Sequence, residues 1–367
     1  MQSLLGKNTQ GVRDYCRAVT GELSMTFRFF SGCYLRGLLR LLSAILLLCP
    51  VTATAASQPT PGWHEAVLTH DGIERHYRYY IAKTLANNPP LVILLHGGTQ
   101  SMTKIFRRHA GATKEWPLLA EEAGFLLVVP NGTSQRNGSG SGNRQNWNDC
   151  RATIAGSGAG ATADDVGFIR ALVNELESRF AIDRDAVYVT GASNGGMMSY
   201  RLATELGDVI AGVAVFIANR PADNECPPAV TPVPIMIVNG SEDPMMPWAG
   251  GEIMGGGGAV LSTAATLDYW LAVNRADRQA AQPEPLPDHN PRDGSHVVRT
   301  RYPAGPGGAE VLFYAVQGGG HNMPHAEHVV PRILRKTLIG KQNRDFDSVR
   351  AAWQFLSRQR LRRPPAP

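Results

Sequence analysis

Short, uninterrupted apolar runs, each followed by a stretch with helical spacing, are the feature that most restricts this chain. The runs are "LVILLHG" (91–97), "FLLVVPN" (125–131), "AVYVTG" (186–191), "IAGVAVFIA" (210–218) and "VPIMIVNG" (233–240). They lack the apolar/polar alternation of a half-exposed strand, so both faces must be covered. Helical spacing over 114–123, 164–180, 195–206 and 262–275 supplies the covers. The pattern predicts an α/β fold with a mostly parallel sheet and helices on both faces. "AVLTHDGIERHYRYYIA" (66–82) predicts a leading hairpin about Asp71–Gly72. Further strands are expected at 296–302 and 310–317, and a last helix at 346–359. Residues 132–163 and 249–260 are Gly-rich loops, and 276–295 is a Pro-rich surface excursion.

Not all of the 367 residues fit this scheme. Residues 1–56 form a leader with its signal-peptide core at 25–56. Arg28, Arg36 and Arg40 precede the apolar run Leu41–Cys49, and "ATA" at 53–55 predicts cleavage after Ala55 or Ala56. The run is far shorter than the roughly 18 residues of a membrane helix. Residues 57–360 are expected to form a single α/β domain, and 361–367 a basic, Pro-rich tail. The reading is of an exported protein, extracellular or periplasmic, with no stable membrane insertion after cleavage.

Of five cysteines, only Cys150 and Cys226 fall outside the leader. An even pair in an exported chain favours one disulfide, with two buried thiols as the alternative. Net charge is +5 for the whole chain, but residues 57–331 hold 20 Lys/Arg against 27 Asp/Glu, a balance of −7. Such a body is no nucleic-acid surface.

"GASNGGMMSY" (191–200) places Ser193 between a buried strand and a helix, the setting of a nucleophile elbow. A serine hydroxyl needs a base, and the base needs an orienting group. His321, in "QGGGHNMP", follows the last strand and can reach back over the elbow. Asp243, in "VNGSEDPMMPW", follows a buried strand and is the candidate acid, with Glu242 its local rival. Asp164 and Asp165 precede Ser193 and suit a helix start instead. "LLHGGTQ" (94–100) offers backbone N–H groups for an oxyanion: Gly98 first, Thr99 next, together with the N–H of Asn194. His96 is read as structural.

Together, "LLHGGTQ", "AEEAGFLLVVPNG", "NWNDC", "DDVGFIRALV", "GASNGGMMSYRLA", "NGSEDPMMPWAGG" and "GGGHNMP" resemble, in order, the secreted polyhydroxybutyrate depolymerase-like esterases. These are close to feruloyl and acetyl-xylan esterases of the α/β-hydrolase superfamily. The resemblance spans about 85–325 and implies a secreted serine esterase with Ser193, Asp243 and His321 as its triad. Its implied substrates are hydroxyalkanoate oligomers or acylated and feruloylated carbohydrates. It implies no metal and no organic cofactor.

Two positions depart from the family pattern. Asn239 precedes Gly240 where a His is common, and Asn322–Met323–Pro324 follows His321 where Thr-Trp-Pro is common. The missing aromatic leaves Trp147 and Trp248 as candidate substrate contacts. A serine peptidase of the same fold and a non-catalytic carbohydrate- or polymer-binding relative are the other readings.

Overall fold

The computed structural model describes residues 60–107, 110–151 and 162–361. The leader, with its expected cleavage site and three cysteines, lies outside the described residues, as do 362–367 of the tail.

The expected sheet forms, with ten strands in the order β1-β2-β4-β3-β5-β6-β7-β12-β11-β10. The hairpin is β1 (Gly62–His70) and β2 (Ile73–Ile81), closed by Asp71 and Gly72, both at positive φ. Six central strands run parallel: β4 (Leu126–Pro130), β3 (Leu91–Leu95), β5 (Val187–Ala192), β6 (Gly212–Phe216), β7 (Ile235–Gly240) and β12 (Val311–Gln317). β11 (His296–Tyr302) and β10 (Gln282–Pro285) complete one edge antiparallel. A separate two-residue ladder joins β8 (Gly251–Glu252) to β9 (Ala259–Val260).

The period of two along each strand explains the apolar runs. Ile93, Leu95, Val187, Val189, Val215 and Ile237 face one core, with Phe168, Leu172, Met197 and Trp270. Those last four come from α2 (Asp165–Phe180), α3 (Asn194–Glu205) and α4 (Thr263–Val273). Their strand neighbours Val92, Leu94, Tyr188, Ala214 and Val238 face the other core. There they meet Trp116 and Leu119 of α1 (Glu115–Ala123) and Val349 and Phe355 of α5 (Ser348–Leu356). Each fully buried aliphatic side chain contributes about 1.5–3 kcal/mol, so the two faces fix the register of every central strand.

Some boundaries differ from expectation. The excursion 276–295 contains β10 and a 3₁₀ turn at Pro291–Asp293, and 249–260 contains the β8–β9 ladder. The last helix begins at Ser348 because Asp347 caps it, accepting from Val349 N (3.0 Å) and Arg350 N (3.1 Å). β6 stops at Phe216 because Ile217 turns the backbone to φ 46°. No helix among the described residues is long and apolar enough to cross a membrane.

Candidate active site

Ser193 stands at the C-terminal end of β5 and caps α3. Its backbone is at φ 58°, ψ −124°, a conformation an L-residue holds only when its surroundings enforce it. Close packing enforces it here. A Cβ on Gly195 would lie 2.5 Å from the carbonyl oxygens of Leu95 and His96, so only glycine lets α3 approach β3 at this turn. The Ser193 N–H donates to Phe216 O at 3.0 Å, which ties the elbow to β6.

Asp243 follows β7, and its carboxylate is buried. One oxygen, Oδ1, accepts from the N–H groups of both Met245 and Met246 at 2.8 Å. The other, Oδ2, lies 2.7 Å from His321 Nδ1. His321 sits in the loop after β12, which closes on the acid loop because Gly240 has no side chain: a Cβ there would lie 2.7 Å from Gly320 O. The sequence rival Glu242 is exposed and pairs with Lys341 at 3.0 Å. Asp164 caps α2 through Gly167 N (2.8 Å). Asp165 is instead a buried partner of Arg75, at 2.5 Å. The acid reaching His321 is therefore Asp243.

His96 is structural, as expected. It is buried between Gly97 O, 2.8 Å from Nδ1, and Gly132 N–H, which donates to Nε2 at 3.0 Å. That pairing requires the neutral ring with its proton on Nδ1. Burial pushes its pKa down to about 4, and the Arg75 charge adds to the effect.

The segment 146–150, "NWNDC", ties the site to the scaffold through all five of its residues. Asn146 Oδ1 accepts the Thr99 N–H at 3.2 Å. Trp147 donates its indole N–H to His96 O (2.9 Å) and its backbone N–H to Asn194 Oδ1 (2.9 Å). Asn148 N–H donates to Asp165 Oδ2 (2.7 Å). Asp149 accepts from Asn194 Nδ2 (2.6 Å) and pairs with Arg151. Cys150 is bridged to Cys226, with Cα atoms 5.5 Å apart. Asn146 and Asp149 were not among the residues singled out from sequence, although polar residues flanking a tryptophan in a Gly-rich loop were a usable signal.

One cleft of about 630 Å³ gathers Ser193, His321, Gly98 and Thr99, with apolar walls from Phe216, Ile217, Met245 and Met323. Thr99, Ser193 and Ile217 all have positive φ, at 58°, 58° and 46°, so backbone strain converges on this cleft. Of the two oxyanion candidates in the β3 loop, Thr99 has its N–H engaged by Asn146, which leaves Gly98.

The two tryptophans do not fit the substrate-contact expectation. Trp147 is 1% exposed, packs at a tilt against the His96 ring and does not line the cleft. Its indole hydrogen bond and ring packing are spent inside the protein. Trp248 is half-buried beside Phe313 and is likewise absent from the lining. The family departures are also internal. Asn239 is buried and exchanges hydrogen bonds with the backbone of Ala218 (3.0 and 3.2 Å). Asn322 Nδ2 faces the carbonyls of Ile339 and Gly340 at 3.0 and 3.1 Å.

Residues 76–250 match the sequence pattern of the family described as esterase PHB depolymerase. NocK, named as an esterase, from Nocardia uniformis subsp. tsuyamanensis is 28% identical over 327 residues, covering 84% of this chain and 86% of its own. A bifunctional acetylxylan esterase/xylanase of Neocallimastix patriciarum is 28% identical over 48% of this chain and 22% of its own. A poly(3-hydroxybutyrate) depolymerase of Ralstonia pickettii is 29% identical over 48% of this chain and 36% of its own. The chain thus spans most of the first relative but well under half of the other two. Over residues 76–250 it carries the sequence pattern of the esterase PHB depolymerase family, set on an α/β-hydrolase fold.

Proposed function

We propose that the chain is an exported serine carboxylic ester hydrolase acting through Ser193, His321 and Asp243. The observation that carries this reading is the 2.7 Å contact between His321 Nδ1 and Asp243 Oδ2 in the cleft that Ser193 lines from its strained elbow. With Nδ1–H donated to the carboxylate, Nε2 keeps a lone pair and can take the Ser193 proton. Oγ then adds to the ester carbonyl, and the N–H groups of Gly98 and Asn194 receive the oxyanion. The intermediate collapses by breaking the bond to the alkoxy group, which leaves as an alcohol with the proton from Nε2. Water, deprotonated by the same nitrogen, releases the acid and restores Ser193. Asp243 stays ionised and stabilises the imidazolium.

The related esterases support an ester as substrate, and the names poly(3-hydroxybutyrate) depolymerase, acetylxylan esterase and feruloyl esterase suggest two classes, hydroxyalkanoate oligomers and acylated or feruloylated carbohydrates. The leader and the Cys150–Cys226 bridge support export. A fluorophosphonate probe tests the nucleophile: it should label the wild-type protein and not Ser193→Ala. A paired panel of ester and peptide substrates should show turnover of esters alone. Peptide turnover would make it a peptidase, and no labelling would make it a binding relative.

A further inference from the structure

The cleft is asymmetric in charge. No Asp or Glu is among its described lining residues, while Lys104 and Arg107 are. The domain around it carries an acidic excess, −7 over residues 57–331, so a cleft with cations only is a local reversal. The two cations also share a side. Lys104 opens a short 3₁₀ turn, Lys104–Phe106, and Arg107 is the residue that caps it. At three residues per turn, positions 104 and 107 are stacked one above the other. Lys104 Nζ is anchored at 3.3 Å to Thr99 O, one residue beyond Gly98. That places an ammonium beside the loop proposed to receive the oxyanion. Neither cation has a carboxylate partner among the described residues, whereas Arg350, for one, is held by Glu115 and Glu122.

Beyond the cations the walls turn apolar, with Ile105, Met245, Met323, Val330, Leu338 and Ile339. A neutral apolar ester would use those walls and leave both cations solvated. An ester that also bears a carboxylate would use both.

We propose, resting on the esterase reading above, that the preferred substrates are esters carrying a free carboxylate, which Lys104 and Arg107 bind at the cleft rim. Among the two substrate classes this favours short oligomers of hydroxy acids, which end in a carboxylate, over esters of neutral sugars. Because the carboxylate contact is made equally in the ground and transition states, it acts on KM rather than kcat. The contact is a rim interaction in water, so salt weakens it.

The test compares matched esters on the purified mature protein. One pair is 4-nitrophenyl hexanoate and the 4-nitrophenyl monoester of adipic acid. The other is the acetate ester of 4-hydroxybenzamide and that of 4-hydroxybenzoate. These place the carboxylate on the acyl or the alcohol side. In at least one pair KM for the anionic ester should be about tenfold lower at low salt, and the advantage should shrink at high salt. In Lys104→Ala/Arg107→Ala the anionic-to-neutral ratio of kcat/KM should fall about tenfold, and in Lys104→Glu/Arg107→Glu it should invert. A ratio is insensitive to how much of a variant is folded. Equal KM values within both pairs, or a ratio unmoved by the variants, would overturn the proposal while leaving the esterase reading intact. Absence of turnover of any ester beyond that of Ser193→Ala would overturn the esterase reading itself.

Discussion

Asp243 uses its two carboxylate oxygens for different purposes: Oδ1 takes two backbone N–H groups, from Met245 and Met246, and Oδ2 faces His321 Nδ1 at 2.7 Å. The division predicts what Asp243→Asn does. The amide oxygen must stay on the two N–H donors, so the NH₂ group turns to His321. The amide N–H and the Nδ1–H are then two donors facing each other, unless Nδ1 gives up its proton and Nε2 takes it. That tautomer cannot accept from Ser193. kcat on a 4-nitrophenyl ester should fall on the order of 10⁴-fold with little change in KM or Tm. A fall of less than tenfold would show that His321 is not oriented by this carboxylate.

His96 makes stability depend on pH. Its folded-state pKa is near 4, against 6.5 in the unfolded chain, so between these values the unfolded state binds a proton that the folded state refuses. Stability therefore rises with pH across this window: it is complete above about 6.5 and declines as pH falls toward 4. The loss from this group approaches about 3 kcal/mol. Urea unfolding at pH 7 and pH 4.5 measures it, and His96→Gln should have a flatter profile. Equal slopes for the two proteins would assign the acid sensitivity elsewhere.

Trp147 is part of the scaffold, and its removal should show as lost stability rather than altered selectivity. Trp147→Ala should cost about 3–5 kcal/mol, the range for a large buried aromatic. KM for a bulky ester and for an acetate ester should change by similar factors. A selective rise for the bulky ester would instead place the indole against substrate.

The Cys150–Cys226 bridge closes a loop with a sequence separation of 76 residues. Chain-entropy reasoning sets its contribution at about 4 kcal/mol. Cys150→Ala/Cys226→Ala should unfold at correspondingly lower urea, and it should lose kcat as well. The reason is that "NWNDC" ends at the bridge and holds Thr99, His96 and Asn194. A double variant of wild-type stability would mean the remaining hydrogen bonds already fix the loop.

The sheet was legible because burial on both faces is written locally, in residues such as Val187 and Val189 facing one core and Tyr188 the other. The places of Ser193, Asp243 and His321 at strand ends, and the meeting of the last two, were legible because each follows a strand and sits among glycines or a turn. What sequence could not convey was the use made of loop residues by distant ones. Trp147 looked available in a Gly-rich loop, yet His96 and Asn194, 51 and 47 positions away, consume its hydrogen bonds. Thr99 looked as able as Gly98 to meet an oxyanion, until Asn146 was seen to occupy its N–H. Lys104 and Arg107 carry no local signature. Their place depends on a turn packing beside Gly98. β10 was hidden for another reason: its prolines argue against a strand everywhere except at an edge.

That edge sets how far hydrogen bonding can spread between molecules. β10 reads "QPEP", so Pro283 and Pro285 have no N–H to offer a neighbour, and Glu284 adds a charge between them. Leu286 donates inward to Val297 O, so the outward-facing donors of β10 would be those of residues 283 and 285, and a foreign strand laid along it would find both missing. Intermolecular growth is thus blocked at one side of a ten-stranded sheet by four residues. Of the two edges of this sheet, only β1 keeps its donors available to a strand from another molecule.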